Sequence, residues 1–231
     1  MSVSGPIKTQ TTSGRADNTR GQILRAAAHQ FARRAYHAVG LDDILAEAEL
    51  TKGAMYFHFR SKHALAVAII EEEIATSTAA FDDRLARKLS GLETLIDFSF
   101  TTAVRDITDD MTRAANSLVE AVGRAEQQHA ELLDGWIQAF AGVVGDAIAE
   151  GDVAERNEPE DVGRMVVSVY MGLRQTSDLD QPARFLGDLE KSWAILLDAI
   201  LEPDRVGYFR EFLRRRAALA LNAASTPATA D

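Results

Sequence analysis

The stretch Thr51-Lys52-Gly53-Ala54-Met55-Tyr56-Phe57-His58-Phe59-Arg60-Ser61-Lys62 gathers hydrogen-bond donors at close spacing. Thr51, Lys52, Tyr56 and His58 can each donate, and Gly53 leaves a gap through which another backbone can approach. On a short helix this pattern suits entry into the major groove of double-stranded DNA. Residues at the helix N-terminus reach base edges there, while Lys, Tyr and His reach phosphates. Lys62 extends the donor set at the start of the next helix. For Tyr56 and His58, local packing against that next helix stays open as an alternative. Phe57 and Phe59 read as core.

Catalytic chemistry is not visible. The chain has no G-x-S-x-G elbow, no Gly-rich phosphate loop and no H-E-x-x-H pair. Its His residues at 29, 37, 58, 63 and 129 include no i, i+4 pair, and Cys is absent, so thiolate metal sites and disulfides are excluded. The acids at Glu71–Glu73 read as a solvated face. No enzyme activity, metal or cofactor is expected.

The donor segment needs elements to hold it. Helical spacing runs through almost the whole chain, and Ala, Leu, Glu and Arg dominate, so the fold class is all-α with about ten helices. A first helix from Asp17 or Asn18 to Arg34 buries Ile23, Leu24, Ala27 and Phe31. A short helix over Leu41–Ala48 turns Ile44 and Leu45 inward. A third runs from Thr51, its N-cap, to Phe57. Two short helices after a longer one make the layout of a helix-turn-helix. Ser61 caps a long fourth helix with Leu65, Ile69 and Ile74 on one stripe. Ser90 and Glu93 form a capping box that opens a helix to Ile107. Asp109 opens another to Arg124, and a long one spans Glu131–Glu150 and stops at Gly151. Pro159, Pro182 and Pro203 open the last three, over 159–176, 182–201 and 203–222. The expected organisation is a disordered basic arm (1–16), a helix-turn-helix domain (17–62), a larger ligand-binding and dimerisation domain (63–222) and a flexible tail (223–231).

Charge follows the same division. The 231 residues carry a formal net charge of −10, which taken whole speaks against nucleic acid. Residues 1–62 hold nine basic and five acidic side chains, a balance of +4. The remainder is at −14. A basic head on an acidic body suggests two modules with different partners. No apolar run approaches the roughly 18 residues of a membrane span, and the first residues lack a secretory pattern, so no membrane partner and a cytoplasmic location are expected.

The segment Thr51–Lys62 resembles the signature of the TetR family of bacterial transcriptional regulators. Its Tyr-Phe-His-Phe form after Thr-Lys-Gly-Ala is similar to the subgroup that includes the γ-butyrolactone autoregulator receptors of actinomycetes. The resemblance is strong over residues 18–70 and weak beyond. It implies a homodimeric repressor that binds palindromic operator DNA and is released by a small, largely apolar effector. Thr51, Lys52, Tyr56, His58 and Lys62 match positions near DNA, and Thr19 and Arg20 match the backbone-contacting start of the first helix. Three features depart from the pattern. Ala35 stands where Gly precedes the aromatic, Val39 and Gly40 stand where hydroxyl residues are favoured, and the inter-helix turn reads Ala48-Glu49-Leu50 rather than Ala-Gly-Val. A left-handed Glu49 would cost roughly 1 kcal/mol.

In that subgroup a Trp at a similar place lines the pocket, which makes Trp136 the first choice for ligand stacking, with core packing as the other reading. Phe140, Met111, Ser168 and Tyr170 are further ligand candidates, Ser168 as a polar anchor. Phe185, Leu189, Trp193 and Leu197, four apart, and Val162, Met165, Val166, Val169 and Leu173 form two stripes expected to build a four-helix dimer interface. Burial within one subunit is the alternative. A rival for the whole chain is a small-molecule sensor that acts through a protein partner with weak or lost DNA binding.

Overall fold

The computed structural model describes residues 13–122 and 128–226. Along the described residues ten α-helices follow one another: α1 Ser13–Arg33, α2 Leu41–Ala48, α3 Lys52–His58, α4 Lys62–Leu85, α5 Gly91–Thr108, α6 Asp110–Val122, α7 Gln128–Ala149, α8 Pro159–Thr176, α9 Pro182–Ile200 and α10 Val206–Ser225. A single 3-10 turn, Tyr36–Ala38, separates α1 from α2. Among the described residues the only β pairing is an isolated bridge between Val153 and Leu201.

Local chemistry sets most of the boundaries. The Thr51 hydroxyl accepts from the Ala54 N–H at 3.3 Å, and that of Ser61 accepts from Ala64 at 3.0 Å. At α5 the box closes both ways: Glu93 N–H donates to Ser90 Oγ, and Ser90 N–H donates to the Glu93 carboxylate at 2.8 Å. Pro159 and Pro182 occupy first turns, where no N–H is needed. Pro203 does not open α10; it lies in the turn before Val206. Residues 13–16 form the first turn of α1, and α10 runs on through 223–225. The rest of the expected arm and tail, 1–12 and 227–231, falls outside the described residues, as does Arg124.

Two apolar cores result. The head core joins Ile23, Leu24, Ala27 and Phe31 of α1 to Ile44, Leu45 and Met55 of the next two helices, and to Leu65 and Ile69 of α4. It also takes in Ala114, Ala115, Leu118 and Val122 of α6. A boundary after Lys62 therefore cuts through a continuous core. The body core gathers the end of α4 with α5 and α7–α10 around Phe100, Phe185, Trp193 and Phe209. Glycine permits two close crossings. A Cβ on Gly91 would lie 2.6 Å from the Val143 carbonyl oxygen, and one on Gly163 would lie 2.8 Å from that of Ile137, so α5 and α8 both rest on the α7 backbone.

Buried charges pin the far ends. Asp97 of α5 is fully buried and pairs with Arg84 at the end of α4, at 3.2 Å, and with Arg216 of α10. Asp106 of α5, also fully buried, accepts from Arg174 Nε at 2.5 Å. Such pairs fix register, because an unpaired buried carboxylate is costly.

One expectation needs correction on apolar length. The stretch Glu131–Ala149 of α7 is long and apolar enough to cross a membrane by composition. Its Ile137, Phe140, Val143, Val144 and Ala147 lie in the protein core, as a core helix requires.

Candidate nucleic-acid interface and ligand cavity

The helix α3 holds itself out on one buried anchor. Met55 is fully buried in the head core, and Phe59 just past the C-terminus is buried too. Ala54 is half-buried, and Lys52, Gly53, Tyr56 and Phe57 face outward. Tyr56 is 53% exposed and Phe57 80% exposed, so the expectation that Phe57 is core fails. Only Met55 and Phe59, four apart, point inward; Phe57 lies about 200° around from Met55. His58 is half-buried, with its ring edge-on to Phe57 at 5.0 Å. Among the described residues a Cβ at Gly53 would meet only the Thr51 hydroxyl, at 3.9 Å, so none of them demands glycine there.

Four cations of the head sit beside carboxylates. Lys52 Nζ sits 2.8 Å from Asp42 on α2, and this hydrogen bond and charge raise the Lys52 pKa above its ordinary value. Arg34 pairs with Asp43 at 2.9 Å, and Arg33 with Asp110 of α6 at 2.7 Å. Arg20 lies over the Phe59 ring and 3.8 Å from Glu72 of α4. Arg25 and Arg60 make no ion pair among the described residues. Thr19 is half-buried beside Arg20 on α1.

Lys62 is placed for a different task from the one expected. Its ammonium donates to the carbonyls of Tyr36 and Val39, both at 2.9 Å, and lies 4.3 Å from the Tyr36 ring centroid. It ties the start of α4 to the turn before α2. Val39 is buried and Gly40 caps α2, its N–H donating to Asp43 at 3.1 Å. Glu49 does adopt the left-handed conformation, φ 53° and ψ 37°.

A cavity of about 120 Å³ opens in the body beneath α4. Aromatic rings form part of its apolar wall: Trp136 stacks on Phe98 at 5.6 Å, and Phe140 meets Phe98 edge-on and Trp136 at a tilt. Tyr170 closes one side. Burial pushes the Tyr170 phenol well above its usual range, so it stays protonated and donates to Asp106 at 3.1 Å. The polar wall comes from α4. Glu73, buried, accepts from Ser77 Oγ at 2.6 Å and from Arg105 of α5 at 2.7 Å. Asn116 of α6 and Thr102 of α5 complete it.

Of the expected ligand residues, Trp136, Phe140 and Tyr170 meet at this cavity. Ser168 does not: it is exposed, because on α8 the cavity is faced by Val166, Val167, Tyr170 and Met171. Met111 packs against the head core instead. Glu73 went unseen because Glu71–Glu73 reads as a charged run. Its position four residues after buried Ile69 is the signal that puts it on the inner stripe.

The expected interface stripe on α9 is also corrected. Phe185, Leu189, Trp193 and Leu197 are sealed inside the subunit, as are Val162 and Val166 on α8. Val169 and Leu173 are half-buried. On α8 and α9 the large apolar side chains left exposed are Met165, 51% exposed, and Ile195, 74% exposed and about 200° around α9 from Trp193.

Residues 23–69 match the family described as bacterial regulatory proteins, tetR family. The A-factor receptor protein of Streptomyces griseus is 31% identical over 206 residues, covering 85% of this chain and 68% of that protein. The crystal structure of a gamma-butyrolactone receptor (ArpA-like protein) superposes with a TM-score of 0.77 at 29% identity, over 89% of this chain and 99% of the other. The TetR family protein CprB of Streptomyces coelicolor, in complex with its biological operator sequence, gives a TM-score of 0.76 at 29% identity, over 89% and 99%.

Proposed function

The chain belongs to the TetR family of bacterial regulatory proteins, and from that membership we propose a homodimeric repressor that releases its operator when a small, largely apolar signalling molecule fills the cavity. It is a DNA-binding transcriptional regulator and not an enzyme. The observation that carries the ligand-release reading is the course of α4. Its first turns sit in the head core through Leu65 and Ile69, and its next turns line the cavity through Ile70, Glu73, Ile74 and Ser77. One rigid element thus touches both sites, so a ligand that shifts α4 in the body moves the head. A coupling of roughly 1–3 kcal/mol corresponds to about 5- to 150-fold in operator affinity.

On the operator, Thr51, Lys52, Gly53, Tyr56 and His58 face the duplex, with Thr19 and Arg20 at its backbone. The exposure of Phe57 adds an apolar side chain suited to a thymine methyl. Lys62 acts from behind, holding the turn that carries α2. The homodimer forms through the outward faces of α8 and α9, around Met165 and Ile195, and presents two α3 helices to the half-sites of a palindrome in the cytoplasm. The effector stacks on Trp136. The likeness to a gamma-butyrolactone receptor supports its class, a γ-butyrolactone or a compound of similar size.

Fluorescence anisotropy on DNA from the promoter of the chain's own gene tests this. Binding is expected to weaken at least tenfold when a lactone that quenches Trp136 is added. Operator affinity unchanged by every lactone that binds would overturn ligand release. Absence of salt-dependent binding to promoter DNA would favour a sensor that works through a protein partner.

A further inference from the structure

Glu73 stands where the cavity, α5 and α6 meet. A carboxylate has about four acceptor sites. Three donors reach this one: Ser77 Oγ at 2.6 Å, Arg105 Nη2 at 2.7 Å and Thr112 Oγ1 at 3.1 Å. The side chain lines the cavity, and Arg105 and Thr112 share its Oε2, so a ligand donor that reaches this oxygen competes with Thr112, which has Asp109 as a second acceptor.

Thr112 of α6 is fully buried and carries one hydroxyl proton. Its Oγ1 lies between two carboxylates, 3.1 Å from Glu73 and 3.0 Å from Asp109 Oδ2. It can donate to only one at a time; the other oxygen then faces a lone pair and is repelled. Asp109 matters to α6, because its second oxygen accepts the Met111 N–H at 3.0 Å and its own carbonyl accepts from Arg113. It caps the helix. The next residue, Asp110, grips Arg33 at the end of α1 at 2.7 Å. A short path therefore runs from the cavity wall through Thr112 and the first turn of α6 to the DNA-binding head.

We propose that Thr112 is the positioning residue that reports the state of the cavity to the head, by giving its proton to Glu73 or to Asp109. When an effector donor occupies Glu73, Thr112 turns to Asp109. The start of α6 then shifts, and the Asp110–Arg33 link carries the shift to α1. The link to operator release rests on the function proposed above, whereas the two-position hydroxyl does not.

Hydrogen–deuterium exchange on the full chain, without ligand or DNA, separates the two. Glu73→Gln keeps the shape and removes the charge that draws Thr112. The amides of Asp110–Arg113 are expected to change exchange rate at least threefold in this variant and in Glu73→Gln/Thr112→Ser. In Glu73→Gln/Thr112→Val the change relative to Thr112→Val alone is expected to vanish, with Thr112→Ala in its place where valine does not fold. An equal change with and without the hydroxyl, or none in Glu73→Gln itself, overturns the proposal. In a second measurement Thr112→Val is expected to bind a Trp136-quenching γ-butyrolactone within twofold of the wild type, while losing at least two-thirds of the lactone's effect on promoter affinity; full release by the lactone overturns the relay. A wild type that ignores lactone and promoter alike would sink the proposed function and leave the exchange result to decide the hydroxyl's role.

Discussion

The exposed helix α3 and the cavity of the body are built in opposite ways. The helix α3 takes its shape from a few neighbours in sequence: the Thr51 cap, the Met55 and Phe59 anchors and the Ser61 cap of the next helix all lie within eleven residues. The cavity draws on α4, α5, α6, α7 and α8, from Ile70 to Met171. The first can be recognised as a motif. The second exists only once five helices have found their packing. Yet the head is not self-contained, because α6 of the body completes its core.

That dependence gives the largest expected effect. Leu118 of α6 is almost fully buried against the head core. Leu118→Ala removes buried methyl groups and leaves a cavity, at a cost of roughly 2–5 kcal/mol. Thermal unfolding followed by amide exchange should show α1–α3 losing protection together with α6. A head that kept its stability in this variant would mean that the two regions are separable after all.

The next effect belongs to the cavity. Trp136 offers the large aromatic face against which Phe98 stacks. Trp136→Ala should weaken lactone binding by 10- to 100-fold, roughly 1.4–2.8 kcal/mol, and leave promoter affinity within threefold. Isothermal titration and anisotropy measure the two separately. Loss of both at once would show that the indole supports the fold rather than the ligand.

What could be read from the sequence follows the same contrast. Caps, prolines and 3.6-residue stripes are short-range, so helix count, most helix starts and the helix-turn-helix were legible. The left-handed turn at Glu49 was a conditional expectation, raised by the resemblance to a family that places glycine there, and the backbone at φ 53° meets it. The partner of a stripe was not. Phe185, Leu189, Trp193 and Leu197 are apolar at every fourth position, and that spacing says a face is buried without saying whether by the same chain or a copy. Glu73 was hidden by its acidic neighbours, although only it among Glu71–Glu73 is buried. Phe57 was misjudged because an aromatic residue is normally inside; here the helix is too short to have more than one inward row.

A smaller effect tests the exposed side of the comparison. Lys52 is free to exchange Asp42 for a phosphate, since both side chains are largely exposed and such a pair contributes little to stability. Lys52→Ala should leave the unfolding midpoint unchanged. It should flatten the dependence of log affinity on log salt by about one unit per subunit. A slope identical to the wild type would remove Lys52 from the phosphate contacts.

The smallest effect lies at Glu49, where local geometry and electrostatics can be told apart. A left-handed backbone places Cβ against the following carbonyl, which costs roughly 1 kcal/mol for any residue but glycine. Glu49→Gly relieves that strain but gives the unfolded chain more freedom, which offsets part of the gain. The expected net stabilisation is roughly 0.3–1 kcal/mol by chemical denaturation. Glu49→Gln keeps the strain and removes only the charge, so its stability should match the wild type. Operator affinity reads the other half. If the carboxylate faces the duplex, both variants bind more tightly and the gain shrinks as salt screens it. A gain in the glycine variant alone would assign the effect to the turn, and would mean that Glu49 limits binding by holding α3 at its strained angle rather than by repelling phosphate.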